Sequence, residues 1–179
     1  MIITRQWAMP NANTFSIKPI KKLIDTHIAM QNVRHMLLPS KGWIDPFSRN
    51  SPFKDKTTTN DLDPSFEADF HLEALEFINR YPDNSVSGIL FDPPYSPRQI
   101  SECYKGIGRA VHMKDTQASF YSDRKDAAAR ALMPGGLALC FGWNSQGFGK
   151  SRGFDLIEVM LVAHGGAHND TICTVERKL

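Results

Sequence analysis

The sequence predicts an α/β fold, a doubly wound and mostly parallel sheet with an antiparallel hairpin at its edge. Three observations carry this. Short apolar runs alternate with stretches of helical period along most of the chain. The last two strand-like runs, "FDLIEVMLVAH" (154–164) and "TICTVERK" (171–178), flank the turn-forming "GGAHND". Three predicted strands end near an aspartate, Asp45, Asp61 and Asp92, and ligands of doubly wound sheets sit at the carboxyl ends of strands.

The elements follow in order. Residues 1–16 form an N-terminal arm without the sustained apolar stretch of a leader. "IKPIKKLIDTHIAM" (17–30) predicts an amphipathic helix, with Ile20, Leu23, Ile24 and Ile28 at helical spacing. "GWID" (42–45) is a short strand stopped by Pro46, and "FSRNSPFKDK" (47–56) is loop. "TTTNDLDP" (57–64) reads as a second strand stopped by Pro64, and "FEADFH" as a third, before a helix over 72–80. "YPDNS" has turn chemistry and leads into the strand "SGILF" (87–91). Residues 97–133 are mostly helical in composition, with Asp123 as a candidate N-cap and "PGG" closing the last helix. Within them 105–121 lacks clear periodicity, so 97–121 is expected to hold a mobile loop on the target side. "LALCFGW" (137–143) is a buried strand, after which Trp143, Asn144 and Ser145 lie within reach of a ligand.

A chain of 179 residues suits one domain with a sizeable core. The formal net charge of +2 allows an acidic partner without requiring one. Basic clusters such as "IKKLI" (20–24) and Arg98, Lys105, Arg109 and Lys114 read either as solvated helix faces or as a phosphate-facing surface. Three cysteines without CxxC or Cys/His spacing argue against a disulfide scaffold and against a zinc site, and no metal is expected. No run is long and apolar enough to span a membrane, so a cytoplasmic protein is expected.

The stretch "GILFDPPY" (88–95) concentrates the chemistry. Two prolines remove two backbone donors and fix φ twice, so the strand must stop. What remains is a rigid stub with a carboxylate on one side and an aromatic ring on the other. Asp45 before Pro46 is equally a turn former, and Asp61 equally ends its strand. Asp92, locked by Pro93 and Pro94 and followed by Tyr95, is the rarer combination. Methyl transfer to an exocyclic amine needs this arrangement. The amine lone pair is delocalised into the ring, and hydrogen bonds from its two protons to a carboxylate and a fixed carbonyl localise it. Asp92 supplies the first acceptor, the Pro93 carbonyl the second, and Tyr95 stacks on the base.

"DPPY" after "GILF" resembles motif IV of the S-adenosylmethionine-dependent amino-methyltransferases, in the adenine-N6 branch. The remaining motifs follow in order. "FSIKPIKKLI" is similar to motif X, "WIDPF" to motif I, "TNDLDP" to the second-strand motif, and "HLEALEFI" to the next acidic motif. "MPGGLALCFGW" and "HGGAHNDTICTVERK" resemble the later motifs lining the target side. The resemblance implies a Rossmann-like methyltransferase sheet with S-adenosylmethionine as cofactor. It places the cofactor against Phe15, Ile17, Lys18, Pro19, Asp45, Pro46, Phe47, Asp61, Leu62, Glu73 and Asp92, with the ribose at Asp61 and the adenine near Glu73. Catalysis falls to Asp92, Pro93, Pro94 and Tyr95.

Where the family carries glycines after "DPF", this chain has Ser48, Arg49 and Asn50. It also has no segment large enough for a target-recognition domain. Contacts to DNA, or to RNA, are then expected from Arg98, Lys105, Arg109, Lys114, His168 and Asn169. The implied protein is a minimal adenine-N6 DNA methyltransferase of the phage or mobile-element type, in a bacterial or phage-infected cytosol. It is expected as a monomer or homodimer, with a second protein as a further source of specificity. The alternatives are an RNA adenine-N6 methyltransferase, or an inactive cofactor- or nucleic-acid-binding subunit.

Overall fold

A computed structural model of the chain describes residues 1–34, 42–117, 120–166 and 168–179. The strands are β1 (Ile2–Trp7), β2 (Trp43–Asp45), β3 (Thr57–Thr59), β4 (Val86–Phe91), β5 (Leu132–Gly142), β6 (Phe154–Ala163) and β7 (Thr171–Lys178). They form one sheet in the order β1-β6-β7-β5-β4-β2-β3. β7 runs antiparallel to both neighbours, and every other pairing is parallel. The helices are α1 (Lys18–Arg34), α2 (Ala74–Asn79), α3 (Pro97–Gly106) and α4 (Phe120–Ala131).

Both faces of the sheet are covered, and the strand period of two decides which residue meets which helix. α1 lays Ile20, Leu23, Ile24 and Ile28 on one face, against Leu90 of β4 and Leu137, Leu139 and Phe141 of β5. The intervening Ile89, Phe91, Ala138 and Cys140 point the other way, to Phe77 and Ile78 of α2 and Ala128 and Ala131 of α4. Strands buried on both faces read as continuous apolar runs, as "GILF" and "LALCF" do. Burying each such aliphatic side chain contributes about 1.5–3 kcal/mol. Gly88 fixes the contact between β2 and β4: a Cβ there would lie 2.4 Å from the ring of its cross-strand neighbour Trp43.

Several local readings change. α1 runs four residues past the predicted end at residue 30. The second strand covers only Thr57–Thr59, and "FEADFH" contributes a single bridge, Asn60 to Phe70. The reason is local: Asp61 and Asp63 each accept a backbone amide two residues on, from Asp63 and Ser65 at 2.9 Å, which turns the chain off the sheet. Asp123 lies inside the first turn of α4 rather than capping it. "PGG" belongs to β5, in the stretch where the pairing with β4 skips from Leu132 to Leu137.

The target-side loop contains α3, capped by Ser96, whose hydroxyl accepts from the Gln99 amide at 3.2 Å, with Pro97 in its first turn. The hairpin is present, but β7 is not the edge. It is inserted between β5 and β6, and the edge beyond β6 is β1, formed by the predicted arm. No helix among the described residues is long and apolar enough to cross a membrane.

Candidate active site

The chain leaves β2 outward to β3, then returns through α2 to β4 on the other side of β2. That reversal opens a crevice at the carboxyl ends of β2 and β4. A cleft of about 640 Å³ lies there, large enough for a cofactor-sized molecule. It collects Phe15, Pro46, Phe47, Asp61, Leu62, Glu73 and the whole of Asp92–Tyr95. Of the expected cofactor residues, Ile17, Lys18, Pro19 and Asp45 are not in its lining. Ile17 is buried under the rim, and Lys18 and Pro19 begin α1.

Asp92 lines the cleft. The Tyr95 hydroxyl donates to its Oδ1, and Thr14 Oγ1 lies 3.4 Å from the same hydroxyl. Burial pushes the Asp92 carboxyl up to about 6, while the hydroxyls of Tyr95 and Thr14 and the charge of Arg49 pull it back. Tyr95 is fixed by its amide, which donates to Gln99 Oε1 at 2.6 Å, and by edge contact with Trp143 at 5.6 Å between ring centres. Burial and the adjacent Asp92 charge raise the Tyr95 hydroxyl well above its ordinary value, so it stays a donor. The Pro94 carbonyl accepts from Tyr121 Oη at 3.0 Å, whereas the Pro93 carbonyl makes no hydrogen bond among the described residues.

Asp61 lines the same cleft. Its two oxygens accept the amides of Arg49 and Asp63 at 2.8 and 2.9 Å, which orients the carboxylate and leaves each oxygen a further lone pair. Burial raises its pKa, against those two amide bonds. Arg49 holds φ at 41°, in the left-handed region that glycine enters freely. The loop thus keeps the bend that glycines would give, with an arginine placed over the Phe66 ring at 5.2 Å. Glu73 borders the cleft, but its carboxylate is held by Arg109, by Tyr104 at 3.3 Å and by Arg124 at 3.4 Å.

Asp45 differs from both. It is fully buried beneath the rim; Oδ1 accepts the Phe47 amide at 3.3 Å and Oδ2 has no hydrogen-bond partner among the described residues. Burial pushes its carboxyl up to about 8; the nearby Ser51 hydroxyl and the Phe47 amide oppose this, and the charges of Asp92 and Asp61 add to it.

The expected nucleic-acid residues do not form one patch. Arg98 pairs with Glu102 at 2.8 Å on the outer face of α3, and Lys105 is exposed at the end of that helix. Arg109 is bonded to Glu73, a carboxylate it shares with Arg124. The Lys114 side chain lies outside the described residues. His168 and Asn169 are exposed in the β6–β7 turn, beyond β5 from the cleft.

Sequence reasoning missed Asn11–Thr14, which line the cleft because β1 anchors the chain at the far edge and sends it back across the rim. It also missed Tyr104, Tyr121 and Arg124, brought in by α3 and α4. The β-branched run "IIT" before the first proline was the available signal for β1.

No family model matches the sequence, and no curated protein matches it. Solved structures match through the fold. The N-methyltransferase NodS from Bradyrhizobium japonicum WM9 has a TM-score of 0.54 at 10% identity, over 89% of this chain and 97% of that one. TrmN from Thermus thermophilus has a TM-score of 0.52 at 19% identity over 85% of this chain; the chain spans 48% of that protein. The 1,6-didemethyltoxoflavin-N1-methyltransferase of Burkholderia thailandensis, crystallised with 1,6-didemethyltoxoflavin and S-adenosylhomocysteine, has a TM-score of 0.51 at 11% identity, over 84% and 76%. At such identities the shared property is the fold, and this chain has the Rossmann-like fold of the methyltransferases.

Proposed function

We propose that the chain is an S-adenosylmethionine-dependent methyltransferase acting on the N6 amine of adenine in nucleic acid, DNA before RNA. One observation carries the reading. A strand-end carboxylate, Asp92, lines the cleft beside a carbonyl, Pro93, that two successive proline rings hold in place and that makes no hydrogen bond among the described residues. Two fixed acceptors side by side suit the two protons of an exocyclic amine.

The cleft suits the cofactor. Asp61 keeps lone pairs for two ribose hydroxyls, Leu62 and the border at Glu73 flank the adenine end, and Phe15, Pro46 and Phe47 enclose the methionine end. When bound, S-adenosylmethionine supplies an electrophilic methyl group on a sulfonium. The rest falls to the protein. Asp92 accepts one amine proton at Oδ2 while Tyr95 occupies Oδ1, and the Pro93 carbonyl accepts the other. As the nitrogen gains its methyl group it becomes positive and must lose a proton, which a carboxylate with a pKa of about 6 takes and passes to water. Tyr95, locked by Asp92, Gln99 and Trp143, offers the ring that flanks the base.

The test is product analysis. The protein is incubated with S-adenosylmethionine and adenine-containing single-stranded DNA, duplex DNA or RNA, and each nucleic acid is digested and its nucleosides identified by mass. N6-methyladenine is the expected product. A methyl group on another atom overturns the assignment of the base. Cofactor binding without any transfer favours the inactive binding subunit instead.

A further inference from the structure

We propose that the half of the rim beyond Asp92 is a stacking surface for an unpaired nucleic-acid strand, with Trp143 and Trp7 taking bases on either side of its course. This rests on the adenine-methyltransferase reading and narrows its substrate to single strands. The chain has three tryptophans. Trp43 is core, 1% exposed, whereas Trp7 and Trp143 are 65% and 42% exposed. Both exposed rings stand at the carboxyl ends of parallel strands, Trp7 closing β1 and Trp143 following β5, on the rim that carries Asp92.

β5 is paired with β4, and the Trp143 ring touches Tyr95, so Trp143 continues the candidate site directly. β1 lies three inter-strand steps from β5, about 14 Å at the usual spacing. Trp7 is not on a loose end. The next residue, Ala8, donates its amide to Ala163 at 3.1 Å and its carbonyl accepts from His164 at 2.8 Å. From there residues 9–14 run back along the rim to Thr14 beside Tyr95, with Met9 also exposed.

Charge decides between an unpaired strand and a duplex. A duplex hides its base faces and presents phosphates, which lysine and arginine neutralise. The described residues that make this half of the rim, 8–14, 143–149, 164–166 and 168–170, include neither. Their one acid, Asp170, is turned onto the His164 amide at 3.1 Å. What they offer is aromatic faces and amides: Asn11, Asn13, Asn144, Gln146 and Asn169. Bases of an unpaired strand can use both, because every base has a face to stack and edges to hydrogen-bond.

Tryptophan fluorescence of the full chain reads this without methyl transfer, and Trp43 supplies a constant buried background. A short adenine-containing strand, as DNA or as RNA, should quench the emission to saturation, and the two arms show which sugar is preferred. The same sequence as duplex should bind at least about ten-fold more weakly. Trp7→Ala should weaken the unpaired strand about five-fold or more, Trp7→Phe should retain most of the affinity, and neither should move the unfolding midpoint. Binding should change little between about 50 and 200 mM salt. Duplex binding as tight as single-strand binding, unchanged affinity in Trp7→Ala, or Trp7 emission that responds to protein concentration through self-association instead of to nucleic acid would overturn the proposal. Quenching intact but no methylated product would count against the methyltransferase reading alone.

Discussion

β2 and β4 lie side by side in the sheet, and each runs into an Asp-Pro step: Asp45–Pro46 and Asp92–Pro93. The two carboxylates end in opposite situations. Asp45 is sealed under the rim, one oxygen unpartnered among the described residues, with a carboxyl pushed up to about 8. Asp92 faces the cleft, bonded by Tyr95, with a carboxyl pushed up to only about 6. The residues just past each first proline make the difference. After Pro46 the chain folds back, Ser48 bonding to Asn60 at 2.9 Å and Phe47 packing on Phe91, so the loop covers Asp45. After Pro93 a second proline carries the chain outward to Tyr95 and α3, so Asp92 stays open. An acid kept neutral in the interior is a structural group, and an acid poised near neutrality in a cleft is a candidate for proton chemistry.

The largest effect expected from this contrast is at Asp92. Asp92→Ala should lower methyl transfer by about a thousand-fold or more while S-adenosylmethionine still binds; radiolabel transfer together with calorimetry separates the two. Asp61→Ala comes next and should do the reverse, weakening cofactor binding by about 1–3 kcal/mol, the loss of a charged hydrogen-bond partner, as calorimetry reads.

Asp45 should act on stability alone. Its folded pKa of about 8 lies above the ordinary 3.8, so between those values the folded chain holds a proton that the unfolded chain has released. The contribution of Asp45 to stability is then fullest below about pH 4 and declines as pH rises, by up to about 1.4 kcal/mol per pH unit. Asp92 and Asp61 are raised in the same direction; the Asp92 part of the decline ends near pH 6, and the Asp45 part continues to about pH 8. Asp45→Asn, which copies the neutral acid, should flatten that part in denaturant unfolding and leave methyl transfer near the wild-type rate.

The smallest effect concerns Tyr95. Methyl transfer should fall as pH drops through about 6, where Asp92 takes up its proton and can no longer accept from the amine. Tyr95→Phe removes a bond that favours charged Asp92, so the midpoint of the rate profile should move to higher pH. A profile unchanged in Tyr95→Phe would show that the hydroxyl does not set the state of Asp92.

The sequence made the rim legible because its signals there are local. A strand stopped by Pro93–Pro94 and the helical spacing of Ile20, Leu23, Ile24 and Ile28 are both visible within a dozen residues. Gly88 could be placed in a strand, but not its contact with Trp43, which needs β2 as neighbour. The same limit hid the fate of Asp45, whose cover comes from β3 and the 47–51 loop. It hid β1 as well, since the run "IIT" is short, the strand is little buried, and pairing with β6 is what holds it. Charge meets the same limit: Arg109 is basic in sequence, and its bond to Glu73 appears only in the fold.

The claim that Asp92, and not Asp45, meets the target amine is tested most directly by carboxyl-carbon NMR of the full chain labelled at aspartate. The two signals are assigned by their loss in Asp92→Asn and Asp45→Asn, and recorded with S-adenosylhomocysteine present. Adding an adenine-containing strand should shift the Asp92 signal and leave Asp45 in place, and a strand without adenine should shift neither. An Asp92 signal indifferent to adenine, or an Asp45 signal that moves in its stead, would contradict the account.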